Sequence, residues 1–188
     1  MKNNIEIDSA ERISVFRNGR TIYFFDDVDN HSVSEAFKLI QQLEQDSIKK
    51  PIRFIINSGG GSVYDGLALY DRIKISPCKV IMVATGLVAS MGLVIYLAGD
   101  ERVVTQTSTL LSHQNTMDVN DGKTSDIKIE AKEMDRLETW YLHLVANTTG
   151  QSIKKIEHEI KIGDKYISAE EAVKTGYASK IIEYKEIK

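Results

Sequence analysis

Two short, nearly continuous apolar runs constrain the fold of this 188-residue chain more than any other feature. Residues 51–57 and 80–84 have the pattern of buried strands. Each run is followed by a glycine-containing turn and then by apolar residues at helical spacing, over residues 63–75 and up to Leu97. Repeated strand–turn–helix units of this kind predict an α/β fold with a largely parallel sheet.

The remaining segments fit one domain spanning residues 1–188, because a chain of this length usually folds as a single unit. The segment from 115 to 123 is polar, and we expect it to be mobile. Further strands are predicted at 13–16 and 21–25 around the Asn18-Gly19 turn, and at 102–104, 109–111 and 180–182, and further helices at 34–43, 125–146, 152–160 and 168–175.

Charge and composition exclude several classes of function. Lys and Arg number 24 and Asp and Glu number 27, and this net charge of −3 is unfavourable for general nucleic-acid binding. The single cysteine, Cys78, excludes an internal disulfide framework and a cysteine-based zinc site, and it fits a reducing compartment. The N-terminus lacks the apolar core of a signal peptide, and the longest apolar stretch, 81–98, is interrupted by polar residues and glycines. We therefore expect a cytoplasmic protein.

Ser90 is the first candidate for chemistry, because it lies between a predicted strand and a predicted helix. Gly86, Ala89 and Gly92 are close in sequence, and such small neighbours permit a sharp turn that exposes a hydroxyl group. The start of the next helix would supply free N–H groups and a positive dipole end, which stabilise a developing oxyanion. Ser90 is therefore either a nucleophile or a residue that caps the helix.

The second candidate is the run Gly59-Gly60-Gly61, directly after a predicted buried strand. The backbone N–H groups of such a run can bind a phosphate or an oxyanion, and the alternative is a plain loop. The run lacks the Lys and Ser or Thr that complete a P-loop, and no third glycine stands at the offset of a dinucleotide fingerprint. We therefore expect no nucleotide cofactor.

His113 and Asp164 are the candidates for proton transfer. His113 ends a predicted strand, from which a histidine can act as a general base, although a lone histidine is often structural. Asp164 precedes a strand–helix junction, where an acid can orient a histidine or can simply be exposed to solvent. No two histidines have metal-ligand spacing with a nearby acid, so we expect no metal site.

Five motifs occur in a fixed order within residues 21–183. They are Asn57-Ser58-Gly59-Gly60-Gly61, Gly86-Leu87-Val88-Ala89-Ser90-Met91-Gly92, His113-Gln114, a long helix from Ser125-Asp126-Ile127-Lys128-Ile129 to Thr149-Gly150-Gln151-Ser152, and Asp164-Lys165-Tyr166-Ile167-Ser168-Ala169-Glu170-Glu171-Ala172. Together they resemble the proteolytic subunits of Clp proteases, the ClpP-like serine peptidases of family S14. One such motif is only suggestive, whereas five in order with compatible spacing are specific.

The resemblance implies a ClpP or crotonase-like α/β fold of repeated β-β-α units, with a protruding handle helix in the region 114–149. It also implies a serine endopeptidase with the catalytic triad Ser90, His113 and Asp164. In that triad His113 would take the proton of Ser90, and Asp164 would hold the imidazole in the required tautomer.

The resemblance further assigns the parts that would bind substrate. The backbone N–H groups of Gly61 and Met91 would form the oxyanion hole. A polypeptide substrate would bind as an added strand beside Gly60, Ser62 and Gln114, which tolerates many sequences because it uses main-chain hydrogen bonds. The family stacks two heptameric rings into a chamber that an AAA+ unfoldase feeds, and this implies no cofactor, nucleic acid or membrane partner for the peptidase.

Three departures from the family pattern keep alternatives open. Gly59 replaces the family's proline, residues 161–163 lack the arginine that links ring stacking to activity in the family, and residues 1–20 have the pattern of a divergent N-terminal hairpin segment. These features resemble divergent members, including phage peptidases that mature capsids. The alternatives are therefore a phage-type head maturation protease, a catalytically silent ring subunit that supports an active paralogue, and an acyl-CoA hydratase or isomerase of the same broad fold.

Overall fold

The computed structural model of the chain describes residues 14–114 and 123–183. Most of the segments 1–20 and 115–123, for which we predicted divergence and mobility, therefore lies outside the described residues. In the described ranges the strands are β1 Val15–Asn18, β2 Thr21–Phe24, β3 Ile52–Ser58, β4 Val80–Ala89, β5 Glu101–Thr105, β6 Thr109–Ser112, β7 Lys165–Ser168 and β8 Lys180–Ile182. The helices there are α1 Asn30–Asp46, α2 Val63–Lys74, α3 Met91–Leu97, α4 Thr124–Thr149, α5 Ile153–Lys161 and α6 Ala169–Lys174.

The described strands form one mixed sheet that divides at β4. Along the path β1-β2-β3-β4-β5-β8, the pairs from β2 onward are parallel and β1–β2 is an antiparallel hairpin. Residues 81–84 of β4 pair with β5, whereas residues 87–89 pair in parallel with β6. Strand β7 then adds to β6 in the antiparallel sense. The second half of β4 and the end of β6 therefore lie side by side.

The division of β4 occurs at Gly86, which has a left-handed φ of +59°. The register between β3 and β4 shifts at this point, and Asn57 bridges the irregularity by accepting a hydrogen bond of 3.0 Å from the Leu87 N–H to its Oδ1. A Cβ on residue 86 would lie 2.7 Å from that oxygen, so only glycine fits without a shift. Such a bulge redirects a strand, and here it turns β4 from β5 towards β6.

The hydrophobic core lies mainly between one face of the sheet and the helices. All seven residues of α3 are buried, so this helix packs in the middle of the core rather than on its surface. Among the residues that the structure describes, the other face of the sheet carries a small cluster formed by Ile55, Val83 and Val103, with Tyr23 and Ile182 packed against it. Because α3 is enclosed on all sides, its first turn is held rigidly, and Ser90 directly precedes that turn.

The parallel α/β architecture and the hairpin around Asn18-Gly19 confirm the sequence prediction, but two strands differ from it. Strand β4 continues to Ala89, where we expected a turn from residue 86, because pairing with β6 sustains it beyond the apolar run. Strand β7 lies where the sequence indicated only a strand–helix junction after Asp164, without bounds, because only Ile167 of its four residues is buried and the apolar signal is weak. No helix in the described part of the chain is long and apolar enough to cross a membrane.

Candidate active site

Ser90 occupies a strained turn between β4 and α3. Its φ of +53° makes it the only residue other than glycine with a positive φ among the described residues, and its ψ is −124°. Its side chain makes no capping hydrogen bond to α3, which is the simpler role that the sequence left open. Its N–H donates to the Leu111 carbonyl at 3.1 Å, which ties the turn to β6. A strained backbone at a sharp strand-to-helix turn is typical of an exposed nucleophile.

The glycine loop packs directly against this turn. A Cβ on Gly60 would lie 2.6 Å from the Ser90 Cβ, and a Cβ on Gly61 would overlap the Val28 carbonyl oxygen. Both glycines also have left-handed φ values, +100° and +143°. The loop is fixed by Val28, whose N–H donates to the Gly60 carbonyl at 2.7 Å and whose carbonyl accepts from the Ser62 N–H at 2.7 Å. The close approach to Ser90 therefore requires glycine at residue 60, and the close approach to Val28 requires it at residue 61.

Two backbone N–H groups near Ser90 are available to a ligand. Val28 bonds to the Gly60 carbonyl and the Ser62 N–H, so the Gly61 N–H between them takes no part in this pairing. The Met91 N–H belongs to the first turn of α3, where no intrahelical acceptor exists. Within the described residues, neither group donates to a protein acceptor. The Cβ position of Gly60 is 3.1 Å from the Met91 nitrogen, so the loop and the helix start are in contact. An oxyanion formed beside Ser90 could accept from both groups.

Ser90 and His113 line the same pocket, together with Met91, Val94 and Tyr141. His113 follows the end of β6 and is half-buried, and its Nδ1 lies 2.6 Å from the Gln114 carbonyl oxygen. No hydrogen bond among the described residues joins Ser90 to the imidazole. The two residues are thus brought to one cavity, with the ring turned towards its own main chain.

Asp164 and His113 adjoin the same end of the paired strands β6 and β7. The antiparallel pairing ends with Ser112 opposite Lys165; His113 directly follows Ser112, and Asp164 directly precedes Lys165. The Asp164 side chain is exposed, and the hydrogen bonds and ion pairs of the described residues do not include one with His113. The fold therefore places the two residues next to the last strand pair without a bond between their side chains.

The predicted substrate residues Gly60, Ser62 and Gln114 are not among the residues that line the pocket of Ser90 and His113. Gly60 is buried against Ser90, while Ser62 caps α2 and accepts from the Asp65 N–H at 3.5 Å. Gln114 is exposed and supplies the carbonyl that faces His113. Gly60 therefore adjoins the Ser90 turn, and Gln114 adjoins His113.

Tyr141 is the residue of this site that sequence analysis did not identify as functional. It falls within the helix predicted at 125–146, where no site residue was expected, yet it lines the pocket of Ser90 and His113 and also a neighbouring apolar pocket. The walls of that second pocket come from α2, α3 and α4: Val63, Leu67, Met91, Val94, Leu137, Trp140 and Tyr141. No local motif marks such a residue, because its position depends on the packing of α4 against the end of β6.

The fold and the site together have the arrangement of an α/β serine hydrolase: a serine on a strained strand-to-helix turn, unused backbone N–H groups beside it, and a histidine in the same pocket. Comparison with known proteins narrows this class. A family model described as Clp protease matches residues 4–185. The chain therefore belongs to the Clp protease family, and its enzymatic class is that of a serine-type Clp peptidase.

Similar proteins carry consistent names. The chain is 35% identical over 185 residues to the ATP-dependent Clp protease proteolytic subunit 1 of Protochlamydia amoebophila, covering 96% of this chain and 89% of that protein. It is 37% identical over 166 residues to the subunit 1 of Chlamydia muridarum, covering 87% and 86%. A solved structure of a ClpP1 mutant from Listeria monocytogenes matches with a TM-score of 0.80 at 32% identity, covering 89% of this chain and 93% of that one.

Proposed function

We propose that this chain is the proteolytic subunit of a Clp-type protease and cleaves peptide bonds through an acyl-enzyme on Ser90. The observation that carries the proposal is the strained Ser90 turn, which is backed by Gly60 and shares one pocket with His113. The family membership of the chain supports the same chemistry.

The reaction begins when Ser90 Oγ attacks the carbonyl carbon of the scissile bond and His113 takes the hydroxyl proton. The N–H groups of Gly61 and Met91 donate to the oxyanion. The C–N bond then breaks, the amine leaves with the proton from His113, and an ester on Ser90 remains. Water, deprotonated by His113, hydrolyses this ester and restores the hydroxyl group.

Asp164 orients the imidazole in this proposal. The ring nitrogen Nδ1 of His113 now faces the Gln114 carbonyl, so catalysis requires the ring to turn until Nδ1–H donates to Asp164. The pairing of β6 with β7 supports this change, because His113 and Asp164 directly adjoin its last pair, Ser112 and Lys165. The substrate backbone adds as a strand between the loop of Gly60 and Ser62 and the segment at Gln114.

The wider assignment follows from the resemblance to the family. We propose that the chain assembles into heptameric rings, either one ring or two stacked rings, in the cytoplasm. An AAA+ unfoldase delivers polypeptides to the chamber, and neither nucleic acid nor a membrane takes part. A head maturation role remains the alternative within the same chemistry.

Labelling of the native protein with a fluorophosphonate or a β-lactone tests the proposal. We expect one adduct on Ser90, its loss in Ser90→Ala, and its retention in Ser152→Ala, which removes a serine that only caps α5. Asp164→Asn should slow labelling by about 10³–10⁴-fold, because the imidazole loses its orienting partner. The mass of the same fractions in solution should be about seven or fourteen times that of the chain.

A catalytically silent ring subunit is the second candidate, because the imidazole faces Gln114 and, among the described residues, makes no hydrogen bond with Asp164. The same fractions distinguish the two roles. A ring-sized assembly without any adduct on Ser90 would support the silent subunit and contradict the peptidase, and co-purification of a labelled paralogue would strengthen that conclusion.

A further inference from the structure

A buried pair of hydroxyl groups adjoins the candidate active site. Ser112 is the last residue of β6 and directly precedes His113, and it is only 2% exposed. Its Oγ lies 2.6 Å from the Oη of Tyr141, in the middle of α4, and either atom can donate. This contact connects the strand that carries His113 to the long helix, and it gives two polar groups a partner away from water.

Tyr141 lies at the boundary between two cavities. It lines the pocket of Ser90 and His113 and the neighbouring apolar pocket, and both pockets also share Met91 and Val94. Burial raises the pKa of Tyr141 to about 12, so the phenol stays neutral over the working range of a serine peptidase. Tyr141 therefore acts as a hydrogen-bonding group and not as an acid or a base.

The end of β6 is held in the sheet by main-chain pairing on both sides. Residues 109–111 pair with β4, next to the bond from the Ser90 N–H to the Leu111 carbonyl, and residues 109–112 pair with β7. This ladder ends at Ser112, so the side-chain bond to Tyr141 is the last contact before His113 that reaches outside the sheet. Loss of that bond would let the end of the strand move and carry the imidazole away from Ser90.

We propose that Tyr141, acting through Ser112, is a positioning residue that holds the backbone of His113 beside the pocket of Ser90, so that the imidazole reaches the Ser90 hydroxyl once the ring turns away from Gln114. This inference rests on the proposed function, in which His113 is the base for Ser90. Nothing in the five sequence motifs assigns a role to either hydroxyl group. The pair acts on the rate of the chemical step and not on the binding of substrate, because it touches His113 through the backbone.

The test compares Tyr141→Phe, Ser112→Ala and the double variant, with Tyr70→Phe as the matched control. Tyr70 packs edge-on against Trp140 at 5.4 Å but lines neither pocket. A small fluorophosphonate is used, and its labelling of Ser90 is separated into Ki and kinact. We expect kinact to fall about 10-fold in each single variant with Ki unchanged, because proton transfer loses its geometry. Tyr70→Phe should keep both constants.

The double variant distinguishes a shared bond from two separate defects. If Tyr141 acts through Ser112, the double variant is labelled no more slowly than the slower single variant, because the two substitutions remove the same hydrogen bond. Circular dichroism and thermal unfolding of each variant establish that it is folded, and Ser112→Ala serves alone if Tyr141→Phe does not fold.

Each outcome decides between the two proposals. Wild-type kinact in Tyr141→Phe and Ser112→Ala would overturn the positioning role, while labelling of Ser90 would still support the peptidase. A raised Ki with unchanged kinact would also overturn it, because Tyr141 would then be a wall that contacts the ligand. Absence of labelling in the wild-type protein, in every assembly state, would overturn the peptidase and the positioning role together.

Discussion

Replacing Gly60 by alanine tests the packing that brings the glycine loop to Ser90. An alanine Cβ would lie 2.6 Å from the Ser90 Cβ, 3.0 Å from the Ala89 carbonyl oxygen and 3.1 Å from the Met91 nitrogen. Since ordinary contacts begin at 3.4 Å, the loop and the turn must separate by about 0.8 Å. Both partners are anchored by main-chain bonds, so the strain cannot be relieved by a flexible side chain.

The expected effects follow from this displacement. A left-handed φ costs a residue with a Cβ about 1–2 kcal/mol, and the overlap adds about 1–3 kcal/mol, so Gly60→Ala should lower the free energy of unfolding by about 2–5 kcal/mol. The N–H of Gly61 moves with the loop, and a shift near 1 Å in an active site can reduce the rate about 100-fold. We expect the labelling rate of Ser90 to fall by that factor.

Gly59→Ala is the matched control, because it changes the neighbouring residue of the same loop without strain. The nearest atom to an alanine Cβ at residue 59 would be the Asp27 Oδ1 at 3.8 Å, and the φ of residue 59 is outside the left-handed region. Urea unfolding measures stability, and fluorophosphonate labelling below the unfolding transition measures activity. The reasoning is refuted if Gly60→Ala labels at the wild-type rate, or if Gly59→Ala is impaired as much as Gly60→Ala.

Three further predictions concern the stability and burial of the fold: two substitutions and one chemical modification. The bonds from Arg72 hold the pKa of Glu44 below its usual 4.5, so the ionised carboxylate stabilises the folded chain above that pH, and this stabilisation is lost as the pH falls through the lowered pKa. The difference in free energy of unfolding between wild type and Glu44→Gln, measured by urea unfolding, should therefore shrink from pH 7 to pH 3. A constant difference would contradict this. Arg20 donates to four main-chain carbonyls, so Arg20→Lys should cost about 2–3 kcal/mol in the same assay, whereas an unchanged midpoint would show that one bond suffices. Cys78 is 2% exposed, so a thiol reagent should modify it only at the rate of unfolding, and rapid modification of the folded protein would contradict its burial.

The sequence predicted the parts of the fold that depend on local apolar patterns. Strand β3 and the first half of β4 were recognisable because their residues are almost uniformly apolar, as burial in a parallel sheet requires. The second half of β4 was not predicted, because Thr85 and Gly86 interrupt the apolar pattern between the residues that pair with β5 and those that pair with β6. Helix α1 begins four residues earlier than predicted, at Asn30, because Asp29 and Ser32 form a capping box.

For the candidate site, the sequence predicted which residues come together but not the directions of their side chains. The order of the motifs led to Ser90, His113 and Asp164, and the folded chain brings the first two to one pocket. The direction of the His113 ring could not be predicted, because it depends on a side-chain rotation that motif spacing does not specify. The bond between Ser112 and Tyr141 was equally inaccessible, since it joins a strand end to a distant helix.

The pairing of β7 with β6 also determines where insertions and deletions can be accommodated. One extra residue within β7 would replace buried Ile167 by an exposed neighbour and move Asp164 out of step with His113, because side chains alternate along a strand. Residues 162–163, between α5 and Asp164, have no such constraint, so length changes there leave both the pairing and the place of Asp164 intact. Variants of this chain should therefore differ in length before Asp164 and vary only by substitution between Asp164 and Ser168.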